Sequence, residues 1–404
     1  MLNGGSSSWK SAVFDRVAAS APVSDALRAP HAAVTLNWQG NDDAATLESH
    51  AAEGDQTQPP HVTREAAVGT ILGRLRELGI DPAALHAVGH RIVHGGPRFR
   101  QSVRLDETVV RALRELEPLA PSHNPVELAG IAAAGSALPH AAQVAAFDTA
   151  FHRTLPPHAF TYAGPYDWLA QDVRKYGFHG INVAYCVERA ADLLGREAAR
   201  LRLVVAHLGG GCSVTAVRDG ASVDTTMGFT PLDGIAMATR SGSVDPGILV
   251  YLLRRANRTG SSVAEAASDL DDTLNHASGI RGLSGISGDV RPVLAAEARG
   301  DERARLALEV FVHRLAGAIA GMLPALGRLD ALVFTGGIGE HGAALRERTC
   351  ATLGALGVEL DAGANEARRE NDADVATPSS PARVLVIGAR EEWAIARECA
   401  RVLG

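Results

Sequence analysis

"VVAHLGGGCSVTAV", residues 204–217, is an apolar run, three glycines and a second apolar run, which reads as a strand, a tight turn and a returning strand. The opening of the chain, "MLNGGSSSWKSAVFD" (residues 1–15), has the same layout, and "LVFTGGIGE" (332–340) repeats the strand and glycine turn. The two hairpins of one design imply two related halves, each presenting backbone amides at a glycine turn, a geometry that suits a phosphate. None of the three turns follows GxxxxGK[ST] or the strand-to-helix GxGxxG fingerprint, so neither a P-loop nor a Rossmann nucleotide fold is supported.

Outward from these turns, the pattern alternates. Val62 to Leu78 is helical, "ALHAVGHRIVHGG" (84–96) is a buried strand ending in a glycine turn, and helices follow over Glu107–Glu117 and Pro125–Ala137. "AAQVAAFDTAFH" (141–152) is a buried strand running to Asp148, and "DALVFTGG" (330–337) is another, after a long apolar-periodic helix over Asp301–Leu326. The chain closes with a strand, a turn and a final helix in "ARVLVIGAREEWAIARECARVL" (382–403). Residues 18–60 offer one short strand candidate, "VTLNWQ" (34–39), and read as a peripheral hairpin and loop. Strands alternating with helices, and glycine turns at strand ends, define an α/β protein whose ligands sit at the carboxyl edges of its sheets.

A chain of 404 residues is long enough for two domains. A formal charge of −7 without a concentrated basic face argues against nucleic acid as a partner and leaves small molecules. The four cysteines, Cys186, Cys212, Cys350 and Cys399, form no CxxC pair and no disulfide-dense pattern, which points to a reducing cytoplasm. No signal peptide and no apolar run of membrane-spanning length is read. Of 39 basic residues only Lys10 and Lys175 are lysines, and Lys10 lies in the first glycine hairpin.

Several polar residues stand where a core would not ask for them. Arg91 sits inside an apolar strand, His123 precedes Asn124 and Pro125, Asp148 ends a Val-Ala-Ala-Phe run, His179 follows "YGF", and Arg240 lies among small residues. Each alone reads as a satisfied buried polar group or a helix cap. Two arginines, two histidines and an aspartate beside glycine turns point instead to phosphoryl transfer, which needs guanidinium donors around phosphoryl oxygens and oxygen ligands for Mg²⁺.

At these residues the sequence resembles the acetate kinase family, within the superfamily of actin, Hsp70 and sugar kinases. The blocks that carry the resemblance occur in order from Asn3 to the terminal helix: "NGGSSSWK", "HRIVHGG", "APSHNP", "AFDTAFH", "YGFHG", "HLGGGCS", "TRSGSVDP", "SGISGDVR", "FTGGIGEH" and "REEWAIARE". The resemblance implies a two-domain actin-like (ribonuclease H-like) fold with duplicated mixed sheets flanked by helices and ATP in the cleft. The first domain would span 1–149, completed by the helix 391–404, and the second 150–390. It implies a reversible, ATP-dependent acetate kinase acting as a cytoplasmic homodimer, with Mg²⁺ or Mn²⁺ and ATP/ADP. A propionate or other short-chain carboxylate kinase is the alternative within the class. A non-catalytic nucleotide-binding relative is the alternative outside it.

By the same resemblance Asn3 and Glu391 match the metal-linked positions, and Ser6, Ser8 and Lys10 the first phosphate turn. Arg91 and Arg240 match the arginines that hold the carboxylate and the moving phosphoryl group, Asp148 the essential aspartate, and His123 and His179 the histidines that steady the transition state. The acid's pocket corresponds to Arg91, Val93, Ser122, Phe178 and Pro231. ATP corresponds to His207, Leu208, Gly209, Gly210 and Gly211, to Asp289, Val290 and Arg291, and to Gly337, Ile338, Gly339, Glu340 and His341.

Some positions depart from that pattern. Gly210 replaces an asparagine and Cys212 is gained in the second turn, Ser243 replaces an acid, and Arg390 and His341 replace asparagines. Ser122 stands for a leucine, which predicts a roomier pocket admitting propionate or a hydroxylated acid. Only Met1 and Leu2 precede Asn3, so the reading expects either an upstream start or a clipped first strand with unpaired ladder groups.

Overall fold

The computed structural model describes residues 1–404 apart from 5–7, 16, 25–28, 39–44, 52–55, 59–61, 122, 259 and 368–371. Its chain divides into two compact units. One comprises Met1–Arg153, Phe178–Tyr185 and Arg390–Gly404, and the other Thr154–Gly177 and Cys186–Ala389. Phe178–Tyr185 joins the first unit because His152 Nε2 and Phe178 O lie 2.9 Å apart and Gly180 N donates to Asp148 O at 2.8 Å.

The first unit holds strands β1 (Leu2–Gly4), β2 (Ser8–Val13), β3 (Ala32–Trp38), β4 (Ala45–Ala51), β5 (Gln56–Gln58), β6 (Ala87–Ile92), β7 (Val103–Arg104) and β8 (Ala142–Phe147). They form one mixed sheet in the order β5-β4-β3-β2-β1-β6-β8-β7. The expected single peripheral strand at 34–39 is corrected here: β3, β4 and β5 together extend the main sheet. Alternating burial along β3, from Ala32 to Trp38, shows why: one face rests on the helix Ala67–Glu77, which buries Ala67, Val68, Ile71, Leu72 and Leu75.

Strand β1 is three residues long. It pairs with β2 through Leu2↔Ser11, Asn3↔Lys10 and Gly4↔Trp9, and among the described residues it meets β6 in parallel at Leu2↔His90 alone. Beyond Met1, a cavity of about 550 Å³ lies between the ends of β2 and β6, with Ile71, Ala87 and Cys399 among its walls. The Met1 amino group is buried beside it, donates to Ala12 O at 2.9 Å, and is held below its ordinary pKa by that burial. Two apolar cores lie against this sheet, and the first spans the Leu2–His90 pairing, since it holds both Leu2 and Val88. One centres on Trp9, Val34, Leu36 and Ile71, the other on Ile92, Leu113, Ile131 and Phe147.

The second unit holds β9 (Arg202–Leu208), β10 (Cys212–Arg218), β11 (Ala221–Thr225), β12 (Ala331–Thr335), β13 (Ala373–Asp374) and β14 (Arg383–Val386), ordered β11-β10-β9-β12-β14-β13. Strands β9, β12 and β14 are parallel, and nearly every residue of β9 and β12 is buried, as expected of strands covered on both faces. The helix expected over Asp301–Leu326 is Glu302–Gly321 followed by a separate turn Leu323–Leu326. By length and composition Glu302–Leu326 is apolar enough to cross a membrane, which corrects the reading that no run qualifies. The helix Glu302–Gly321 buries Leu308, Phe311, Leu315 and Ile319 within its own unit, as a core helix does. All four cysteines are buried and unbridged.

Candidate active site

Parallel strands end their carboxyl edges side by side, so the residues just past β6 and β8 converge. On β6, Arg91 donates from Nε at 3.0 Å and from Nη2 at 2.5 Å to the same oxygen of Asp148, Oδ2, the residue immediately after β8. Its Nη1 reaches Asn3 Oδ1 at 3.4 Å on β1, and Asn3 Nδ2 donates to Glu391 Oε2 at 3.3 Å at the start of the last helix. Asn3, Arg91, Asp148 and Glu391 thus form one chain of contacts within the first unit.

Charge and burial oppose each other here. Burial lowers the proton affinity of Arg91, but the carboxylates of Asp148 and Glu391 outweigh it and hold the guanidinium protonated. Burial, opposed by Arg91 and reinforced by Glu391, raises Asp148 above the usual carboxylate range. Asp148 Oδ1 is buried and has no hydrogen-bond partner among the described residues. A buried carboxylate oxygen left unbonded carries a desolvation penalty that an arriving cation or donor relieves. Asn3, Asp148 and Glu391 are also oxygen donors, the type Mg²⁺ takes alongside water and phosphate. The residues therefore fit a magnesium–phosphate complex.

The surrounding shell orders this centre. His179 has φ +62°, a conformation rare for a non-glycine residue, and its backbone also favours the charged form of Asp148. Val93 and Phe178 are buried, and His94 stands edge-on to the Phe178 ring at 5.4 Å between centroids. His123 occupies the N-cap of the helix Asn124–Ala137, without a side-chain cap bond. Lys10 stands opposite Asn3 in the hairpin, and Ser8 begins β2. Ser6 and Ser122 lie outside the described residues.

One residue of this centre was missed from sequence. Glu127, in the first turn of the helix Asn124–Ala137, is buried and accepts the Val93 amide with both oxygens at 3.2 Å. Burial, partly opposed by Arg91, pushes its carboxyl up to about 8. An acidic residue in a helix's first turn is ordinary on dipole grounds, so nothing in the sequence marked it. His86, His90 and His94 are spaced four apart, but His90 Nε2 faces the Gln143 amide at 2.8 Å and His94 Nδ1 accepts from Gly96 N at 2.9 Å. Among the described residues no group of three or more His, Cys, Asp or Glu gathers to hold a metal.

The second unit assembles the other predicted segments. His207 pairs with Thr335 at the ends of β9 and β12, so the turn 209–211 and the segment Gly336–His341 share one sheet edge. Gly336, at φ +77°, lies so close to Leu208 that a Cβ would meet Leu208 O at 2.8 Å. In the turn itself Gly209 N donates to Gly211 O at 3.0 Å, and Ala238 N donates to Gly210 O at 3.4 Å, which ties in the loop carrying Arg240. Arg240 Nη1 donates to Pro231 O at 3.3 Å. Cys212 donates to Gly209 O at 3.4 Å, and burial pushes its thiol up to about 12, so it stays neutral. Asp289 caps the helix Val290–Glu297 and holds Arg291 by an ion pair at 2.5 Å. Glu340 turns its Oε1 to Ala389 N at 2.9 Å.

Similarity to known proteins spans this whole arrangement. The profile of the acetokinase family matches residues 1–397. The chain belongs to the acetokinase family. An acetate kinase of Gloeobacter violaceus is 46% identical over 405 residues, covering 99% of this chain and 98% of the relative. An acetate kinase of Nostoc punctiforme is 44% identical, covering 100% and 98%. Among solved structures, a Porphyromonas gingivalis acetate kinase superposes with a TM-score of 0.86 at 34% identity, covering 100% of this chain and 98% of that one. A Francisella tularensis propionate kinase does so at 0.87 and 36%, covering 98% and 97%. Membership of the acetokinase family makes this chain a kinase, and its α/β fold of two helix-flanked mixed sheets is the expected one.

Proposed function

We propose that this chain is an acetate kinase, moving a phosphoryl group reversibly between ATP and acetate to give acetyl phosphate and ADP. The observation that carries the reading is the Arg91–Asp148 pair with its unbonded Oδ1, linked to Asn3 and Glu391, in a chain of the acetokinase family.

An acetate oxygen attacks the γ-phosphorus in line; the new P–O bond forms as the bond to the β–γ bridging oxygen breaks, and ADP leaves with that electron pair. No proton has to move, so positioning and charge neutralisation make up the catalysis. Arg91 and Arg240 neutralise the two anions as they meet. Asp148 orients Arg91 through Oδ2 and keeps Oδ1 for the metal–phosphate complex. His123 and His179 are assigned to the phosphoryl oxygens, and Val93 and Phe178, with Pro231 of the second unit, to recognition of the methyl group.

The nucleotide is held by His207 through Gly211, by Asp289 through Arg291 and by Gly337 through His341, with Ser6, Ser8 and Lys10 on the phosphates. Asn3 and Glu391 would hold Mg²⁺, or Mn²⁺, which would supply further neutralisation of the phosphoryl oxygens. A cytoplasmic homodimer completes the reading. The helix Pro246–Arg258 buries no residue in its own unit and leaves Ile248, Val250 and Tyr251 exposed, with Val244 just ahead of it, an apolar face suited to a second copy.

Ser122 in place of leucine favours a second reading, a propionate kinase. The test is purified chain with ATP and Mg²⁺, following ADP and hydroxylamine-trapped acyl phosphate across formate, acetate, propionate and butyrate. Turnover peaking at acetate supports the first reading, and a peak at propionate the second. No turnover with any acid sinks both and leaves a non-catalytic nucleotide binder.

A further inference from the structure

The segment that follows β12 is held from its inner side by a residue to which no role has yet been given. Arg346, on the helix Ala343–Ala351, is 5% exposed. Its Nη1 donates to Gly339 O at 2.7 Å and to Glu340 O at 2.9 Å. Its Nε donates to Asn365 Oδ1 at 2.8 Å and its Nη2 to Asn365 O at 2.9 Å. Asn365, itself buried, donates from Nδ2 to Ala343 O at 2.9 Å, closing a ring of contacts among three segments.

Burying a guanidinium is unfavourable unless its donors are used, and an apolar side chain would fill the same space at less cost. What the planar fork adds is geometry, because it fixes two carbonyls of one turn and two oxygens of one asparagine at once, which an ammonium cannot do. On the opposite side the turn is wedged by Gly336 against Leu208, while a Cβ at Gly337 would meet nothing within 4 Å. The segment is thus clamped on its inner side and open at Gly337.

We propose that Arg346 is the positioning residue of the nucleotide site, setting the Gly337–His341 backbone where the nucleotide meets it. This rests on the reading of the chain as an ATP-dependent kinase. Arg346 does not touch substrate; it acts through the carbonyls of Gly339 and Glu340.

The test measures the Kd for ATP by calorimetry, together with KM for ATP and for acetate, in the wild type, Arg346→Lys and Arg346→Ala, the last with and without millimolar guanidinium ion. Expected are a rise of about ten- to a hundredfold in Kd and KM for ATP in Arg346→Ala, KM for acetate within about twofold, an intermediate Arg346→Lys, and partial rescue by guanidinium. Unchanged ATP affinity in a folded variant overturns the proposal, and so does an equal rise in both KM values. Should Arg346→Ala not fold, Arg346→Lys, which keeps the charge and most of the volume, carries the same two outcomes. A wild-type chain that binds no ATP takes the kinase reading down as well, whereas wild-type binding with insensitive variants removes only the role of Arg346.

Discussion

Arg91 places two of its nitrogens, at 3.0 and 2.5 Å, on one oxygen of Asp148 and leaves the other oxygen of that carboxylate buried and unbonded. The pair therefore commits one oxygen to Arg91 and leaves the other without a protein partner among the described residues. Removing Arg91 strands a buried carboxylate, so Arg91→Ala is expected to cost about 3–5 kcal/mol of stability as well as orders of magnitude in turnover. Arg240 is only partly buried, with the Pro231 carbonyl as a hydrogen-bond acceptor, so Arg240→Ala should lose turnover to a similar degree with little change in Tm. Thermal melts beside acyl phosphate assays separate the two, and near-normal turnover in either variant would sink its assignment.

Glu127 carries a pH signature. Its carboxyl is raised to about 8 in the folded chain against an ordinary value of 4.5, so between those values the native state binds more protons than the unfolded one. Its contribution to stability is then greatest below pH 4.5 and declines as pH rises toward 8. Glu127→Gln keeps an oxygen for the Val93 amide and cannot ionise. The variant should gain on the wild type by a few kcal/mol, to order of magnitude, between pH 5 and pH 8.5 in denaturant unfolding. A difference independent of pH would contradict this.

The glycines in and beside the segments proposed to meet the nucleotide should divide sharply under substitution. A Cβ at Gly210 meets nothing within 4 Å, so Gly210→Asn should fold normally and lower KM for ATP by adding a donor beside the turn. Gly336→Ala puts a methyl 2.8 Å from Leu208 O at φ +77°, and should cost about 1–3 kcal/mol by thermal unfolding. Equal tolerance at both positions would contradict the packing described.

Acid preference gives a fourth expectation. If Ser122 widens the acid pocket proposed at Val93 and Phe178, Ser122→Leu should raise the ratio of kcat/KM for acetate over propionate by about tenfold. An unchanged ratio would remove Ser122 from the specificity argument.

The sequence exposed Arg91 and Asp148 because an arginine inside an apolar strand and an aspartate ending one have few structural excuses. It exposed the glycine turns because strand-turn-strand is a local pattern. Glu127 and Arg346 were invisible for the opposite reason: a lone acid in a helix's first turn and an arginine beside Glu347 and Arg348 read as solvated charges, and only tertiary packing buries them. Strand β4 and the edge strand β5 were missed because residues 45–58 are mostly polar or small, and their strand character comes from pairing, β4 with β3 and β5 with β4, instead of from their own periodicity.

Among the described residues Leu2 with His90 is the one backbone pairing between β1 and β6, so the ladder of the first sheet is thinnest there, while the apolar core that holds both Leu2 and Val88 continues across it. Amide hydrogen exchange should therefore find β1 less protected than β6 and β8, opening first along the line between β1 and β6. The contact from Arg91 to Asn3 crosses that line. A substrate complex that engages both residues would stitch that line shut, so protection along β1 should rise on binding even where no ligand atom comes near.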